Sequence, residues 1–331
     1  MRKVEYLSPT AISTWLKDKK EFYLAYLCET RIPRFHQTQP MSIGSSFDAY
    51  VKSFLHERLF GKDKDSRFNL VTLFEAQVEA HNRDWAWEHG KYVFDCYQRS
   101  GALADLLLEL ESSIGTPRFE IEVRGVVNGH REGVTRQMDG VTFLGKPDVF
   151  YINKHGCHVI LDFKVNGYCS RYNISPKPGY LRLRGAQITG PHKDCIPMAW
   201  NGTMINMGRF LEDIDQDWAR QLAIYGWLVG LEVGEECVVA IDQIVCKPTG
   251  MAYPTIRIAE HRLRTKPDFQ WQTYALAQEV WETVHSDHIF RDLPLPDSKS
   301  QCELLDAQAL SLKNPETEED AIFNKMTRGQ L

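Results

Sequence analysis

No run of about 20 apolar residues occurs in the chain, so no membrane-spanning helix is expected. The start, Met-Arg-Lys leading within a few residues to Ser8-Pro9, has no apolar stretch of signal-peptide length, and a soluble, cytoplasmic protein is expected. Cysteines stand at 28, 96, 157, 169, 195, 237, 246 and 302 with no Cys-x-x-Cys pair, which argues against a zinc ribbon or a dense disulfide framework. Those at 157, 237 and 246 fall in strand-like runs and read as small core residues. No Gly-x-x-x-x-Gly-Lys-Ser/Thr is present, so the chain carries no nucleotide-driven motor of that kind. Internal repeats and low-complexity tracts are missing too. A net charge of −5 excludes a surface that adheres to nucleic acid everywhere, but leaves room for a local basic groove.

What is present is an ordinary globular composition: 331 residues, 43% apolar and 25% charged, enough for one elaborated α/β domain or two average ones. Residues 8–27 read as a helix with Ser8 as N-cap and Pro9 at the first helical position. Ser42 reads as the cap of a second helix over 43–59, in which Gly44 and Asp48 share a face. Between them, Arg31 to His36 is a basic loop. Residues 70–111 look helical. From Phe119 the period becomes strand-like, with Phe119-Glu-Ile-Glu-Val123 alternating cleanly. A helix over 212–232 places Gln221 and Tyr225 one turn apart. Two strands follow (237–245 and 253–258), then a helix over 267–289, and after Pro294 the periodicity is lost.

Chemistry concentrates between residues 145 and 164. Two strand-length apolar runs, Val149–Ile152 and Cys157–Leu161, flank a Gly-containing break and predict a β-hairpin. A turn centred near His155 sets Asp148 opposite Asp162, with Cβ atoms about 4.5–5.5 Å apart. Lys164 projects from the same face as Asp162 because strand side chains alternate. Facing carboxylates are costly to bury without a cation between them, and oxygen ligands select a hard ion such as Mg²⁺. A solvated Asp–Asp–Lys cluster at a sheet margin is the plainer alternative. Residues 165–210 form a long, irregular stretch with Arg171, Lys177, Arg182, Arg184, Lys193 and Arg209 against one acid, Asp194. Long loops in compact domains are usually functional or disordered. Interleaved Tyr168, Tyr172, Tyr180 and Trp200 could stack on bases while the cations meet phosphates.

Taken in order, these pieces resemble the PD-(D/E)xK nuclease superfamily, and within it the RecB-type exonuclease group. Ser8-Pro-Thr-Ala-Ile-Ser13 with Phe22-Tyr-Leu24 resembles that group's N-terminal helix. Gly44-Ser-Ser-Phe-Asp48 is similar to its Gly-x-x-x-His helix, with aspartate in the histidine position. Gly145-Lys-Pro-Asp148 and Asp162-Phe-Lys164 resemble the halves of its metal motif, and Gln221-Leu-Ala-Ile-Tyr225 its Gln-x-x-x-Tyr motif. The likeness covers about residues 5–60 and 118–247.

The resemblance implies an α/β, restriction-endonuclease-like core, a central mixed sheet flanked by helices, behind an N-terminal helical section. It divides the chain into a helical section (1–115), a nuclease core (116–290) with the basic insertion 165–210, and a C-terminal tail (291–331). It implies a deoxyribonuclease dependent on Mg²⁺ or Mn²⁺, an exonuclease in recombination, repair or phage genome processing, working with DNA and with a recombination or helicase partner. A structure-specific endonuclease and a non-cleaving nucleic-acid-binding module are the alternatives. Asp148, Asp162 and the carbonyl of Phe163 would hold one or two ions, with Asp48 as a further ligand. Lys164 would act electrostatically on the phosphate or its water, Gln221 would order the site, and Tyr225 would contact the backbone or brace the helix. One of Glu120 and Glu122 would join the outer shell. Some relatives carry an iron–sulfur cluster; here Asp18 stands where its first cysteine would fall and Cys302 is alone in the tail, so no cluster is expected.

Overall fold

The computed structural model describes residues 2–29, 36–62, 64–129, 140–185 and 190–286. The expected basic loop, apart from His36, the turns around 130–139 and the tail with Cys302 lie outside them. The described residues form a mixed α/β structure built on a six-stranded mixed sheet, and none of their helices is long and apolar enough to cross a membrane.

The N-terminal helix is broken. Ser8 caps α1 (Pro9–Lys17), accepting from the amide of Ala11, but Asp18 ends α1 and caps the short α2 (Lys19–Phe22), which runs into a π-helical turn over Tyr23–Leu27. Helix α3 (Gln39–Phe60) begins earlier than its sequence suggested. Thr38 is its N-cap and Pro40 lies in its first turn, a position where a missing amide costs nothing. Ser42 therefore lies inside the helix, its hydroxyl donating back to Gln39 O at 2.8 Å. Helices α4 (Leu70–Gln77), α5 (Arg83–Arg99) and α6 (Ala102–Glu111) follow. They form the predicted helical stretch, with breaks at Val78 and Ser100.

Strand β1 (Ile114–Phe119) stops where unbroken alternation was expected, because Glu120 takes a positive φ of 48°. The chain turns there into β2 (Val123–Val127), which pairs with β3 (Val141–Gly145) as a separate ribbon. The hairpin forms as predicted, from β4 (Val149–Ile152) and β5 (His158–Asn166), with Val149 opposite Leu161. One more step of that register sets Asp148 opposite Asp162.

The stretch after β5 is more ordered than its composition suggested. It holds an edge strand, β6 (Arg182–Gly185), and a small ribbon of β7 (Pro197–Trp200) and β8 (Thr203–Asn206). Helix α7 (Gln216–Leu228), capped by Asp215, leads to β9 (Val238–Lys247), β10 (Thr255–Leu263) and α8 (Pro267–His285). The sheet order is β1-β4-β5-β9-β10-β6, with β5 and β9 parallel and the remaining neighbours antiparallel.

Alternation along the strands supplies two cores. Tyr151, Val159, Leu161, Phe163, Ala240 and Ile258 pack with α3, α5 and α6, whereas Phe150, Ile160, Val239 and Ile241 pack under α7. A third cluster joins α1 and the π turn to β3, α7 and α8 through Phe143, Trp227 and Tyr274. Central strand β9 is buried from Val238 to Cys246, as expected of a strand covered on both faces.

Candidate active site

The polar residues of this core meet where β4 begins, between the helix α3 on one face of the sheet and α7 on the other. On the α7 side, Lys164 Nζ donates to Gln221 Oε1 (2.9 Å), and Gln221 Nε2 donates to Asp162 Oδ1 (2.9 Å) and to Tyr225 OH (3.1 Å). Helical spacing explains the pair on α7: residues four apart share a face. Close packing sets the helix height. A Cβ at Gly145 would come within 2.5 Å of Leu228 and 2.8 Å of Tyr225, so the bare backbone at the end of β3 lets α7 lie against the strand just before Asp148.

On the α3 side sits a residue that sequence reasoning left without a role. Lys52, 1% exposed, donates from Nζ to Asp48 Oδ2 (2.6 Å), Glu120 Oε1 (2.7 Å) and Asp148 Oδ1 (2.9 Å). All three protons of the ammonium are thereby used. Gln77, at the end of α4, donates to the same Asp48 oxygen (3.0 Å) and the same Glu120 oxygen (2.8 Å). Lys146 pairs with Glu120 Oε2 at 2.6 Å. Asp148 bridges the two sides, because its Oδ2 accepts from the amide of Phe163 (2.9 Å). The positive φ of Glu120 turns its carboxylate into this cluster, and its amide donates to Asp148 O at 3.2 Å. Of the two glutamates suggested for the outer shell, Glu120 is the one that enters this carboxylate–lysine cluster.

Burial is the largest influence on Asp48, Glu120 and Asp162, and their neighbours then separate them. Asp48 is pushed up to about 8, by burial and by Asp148 and Glu120, against the pull of Lys52. Asp162 rises to about 6, again through burial and Asp148, against Lys164. Glu120 resists its burial and falls to about 2 because Lys52 and Lys146 both hold its charged form. Lys52 and Lys164 are held above the ordinary lysine range, the carboxylates outweighing burial. Burial also raises the Tyr225 phenol, which stays protonated.

Asp162 Oδ2 is buried and lies 2.7 Å from Lys164 Nζ, so this ammonium is its counter-charge. The carbonyl-type oxygen of Gln77 is buried without a hydrogen-bond partner. Carboxylate oxygens suit a hard cation, and Asp148 and Asp162 are the acids that meet here. Asp48, expected as a further ligand, accepts from Lys52 and Gln77 on Oδ2.

The basic residues of the insertion do not converge on this cluster. Lys177 comes nearest: its amide donates to Gln243 Oε1 (2.9 Å), and Gln243 is the β9 neighbour of Lys164. Its ammonium pairs with Asp215 at 2.5 Å and lies over Trp218. Arg182 and Arg184 stand on edge strand β6, three strand spacings or about 14 Å from β5, and both pair with Asp105 and Glu260. Arg171 and Lys193 are exposed on the surface. Of the aromatics, Tyr168 is packed against Trp85 and His89, Tyr180 against His192, and Trp200 under Arg264, whereas Tyr172 is 80% exposed. Asp18 serves as a helix cap.

No family model matches the sequence, and no curated protein matches it. Among solved structures, one titled "Crystal structure of SSO0001" covers 84% of this chain and 88% of its own at 12% identity, with a TM-score of 0.25. That similarity is too low to carry an argument about fold or function.

Proposed function

We propose that the chain is a metal-dependent deoxyribonuclease of the PD-(D/E)xK type, hydrolysing phosphodiester bonds as an exonuclease. The reading rests on the Asp148–Asp162–Lys164 constellation, closed by Gln221, in which the buried Asp162 carboxylate pairs with the Lys164 ammonium. Asp148, Asp162 and the Phe163 carbonyl would hold Mg²⁺ or Mn²⁺, which when bound lowers the pKa of water and offsets charge on the phosphate.

The chain's own residues do the rest. Lys164, kept charged by Asp162, offers ammonium donors to a phosphate oxygen or its attacking water, a fixed positive charge where negative charge develops. Gln221 holds Lys164 and Asp162 in one orientation. Tyr225 anchors Gln221 and stays neutral. Lys52 offsets three carboxylates, which limits the repulsion that a polyanion meets on approach. A Cβ at Gly44 would meet nothing within 4 Å, so the α3 surface one turn before Asp48 is bare enough for a nucleic-acid backbone to lie close.

Purified protein with Mg²⁺ or Mn²⁺ is expected to degrade linear DNA, and Asp162→Ala or Lys164→Ala to abolish this with the circular dichroism spectrum unchanged. A circular substrate left intact separates exonuclease from endonuclease. Absence of hydrolysis with either metal, on single- or double-stranded DNA or RNA, would sink the enzyme reading. One observation favours a second reading, a non-cleaving nucleic-acid-binding module: Lys52, Lys146 and Lys164 nearly balance Asp48, Glu120, Asp148 and Asp162 without an ion. Under it, DNA would be retained without cleavage and metal would not alter the affinity.

A further inference from the structure

We propose a second metal site, for a zinc-class ion, formed by His36, Glu79 and His81 on the outer surface between the start of α3 and the segment after α4. Glu79 Oε2 lies 3.2 Å from His36 Nδ1 and 3.5 Å from His81 Nδ1. All three candidate ligand atoms fall within 4.8 Å of one another. Tetrahedral zinc with bonds of roughly 2.0–2.1 Å sets its ligands about 3.3 Å apart, so both measured separations already match.

The hydrogen bonding of His81 points the same way. His81 Nε2 lies 3.1 Å from the backbone carbonyl of Gln37, which can only accept, so Nε2 carries the proton. Nδ1 is then the ring nitrogen that faces Glu79 Oε2, the position from which it would ligate an ion shared with that carboxylate. A carbonyl on the far nitrogen is also the usual means of orienting a metal-bound histidine.

The two segments are braced independently of any ion. Gln37 accepts from the amide of Glu79 (3.1 Å), donates to Gln77 O (3.1 Å) and Ser45 Oγ (2.9 Å), and receives the Asn82 amide on its carbonyl (2.7 Å). Glu79 and His81 are thereby fixed against His36, and two imidazoles with one carboxylate suit zinc better than magnesium. The fourth position faces solvent, since all three side chains are well exposed. The site is separate from the carboxylate centre, yet Gln77, two residues before Glu79, holds Asp48 and Glu120.

The test is calorimetric titration of Zn²⁺ into the full chain in excess Mg²⁺, which keeps the carboxylate centre supplied with its own ion. One equivalent should bind to wild type, and His36→Ala, His81→Ala or Glu79→Gln should each weaken it by about tenfold or more. Zn²⁺ should also raise the melting temperature of wild type but not of His81→Ala. Equal zinc affinity in wild type and both histidine variants overturns the proposal, as does zinc binding lost only in Asp162→Asn. None of these outcomes depends on whether DNA is cleaved.

Discussion

Lys52 illustrates how much one side chain can settle. It is buried among three carboxylates, and removing one partner of a buried charge cluster leaves the others uncompensated. Lys52→Met is expected to cost about 3–5 kcal/mol, measured by urea unfolding, and to make the melting temperature respond more strongly to Mn²⁺ than in wild type. The carboxylates also set a pH dependence. Asp48 and Asp162 have folded values raised to about 8 and about 6, so from about pH 4 upward the native state binds more protons than the unfolded chain. Stability without metal therefore falls as pH rises from about 5 to 8, and Asp48→Asn should flatten that slope in denaturant titrations. Glu120, lowered to about 2, contributes stability that is present above the ordinary carboxylate range and lost only below it, outside that window. The sequence made Asp148, Asp162, Lys164, Gln221 and Tyr225 legible because strand alternation and helical spacing fix which side chains share a face. It hid Lys52 and Gln77, because a mid-helix lysine is ordinarily solvated and the partners of Gln77 are 29 and 43 residues away.

At the scale of elements, the site depends on how closely α7 approaches β3. Gly145→Ala would drive a methyl into Leu228 and Tyr225, and an overpacked contact of this kind costs about 1–3 kcal/mol. Tyr225 and Gln221 would shift with the helix, so activity under the proposed reading should drop more than unfolding free energy predicts. Asp18→Ala removes the cap of α2 and should cost about 1 kcal/mol in a thermal melt, with the site untouched. The hairpin and α7 were readable from their apolar periods. The start of α3 was not: Ser42 is a plausible cap on local grounds, but Pro40 permits one more turn and Thr38 takes the position. The break at Glu120 was invisible because alternation of residue types continues through it while the backbone does not.

Across the whole molecule, the distribution of basic residues separates binding from bracing. Arg182 and Arg184 hold β6 to α6 through Asp105 and to β10 through Glu260. Under the proposed reading, Arg182→Ala should leave DNA affinity unchanged in fluorescence anisotropy, whereas Lys177→Ala, whose backbone amide bonds to the β9 neighbour of Lys164, should weaken it and flatten its salt dependence. Composition marked the insertion as basic, but pairing partners drawn from α6, α7 and β10 decide which of its cations face outward, and these lie too far along the chain for any local pattern.

The ammonium groups of Lys52, Lys146 and Lys164 give this architecture an order of assembly. A cluster that supplies its own counter-charges can fold without an ion, unlike small zinc domains whose folding free energy is the binding free energy of their metal. Under the proposed reading, chelation should therefore silence the protein without unfolding it, and returning the ion should restore activity without a refolding step.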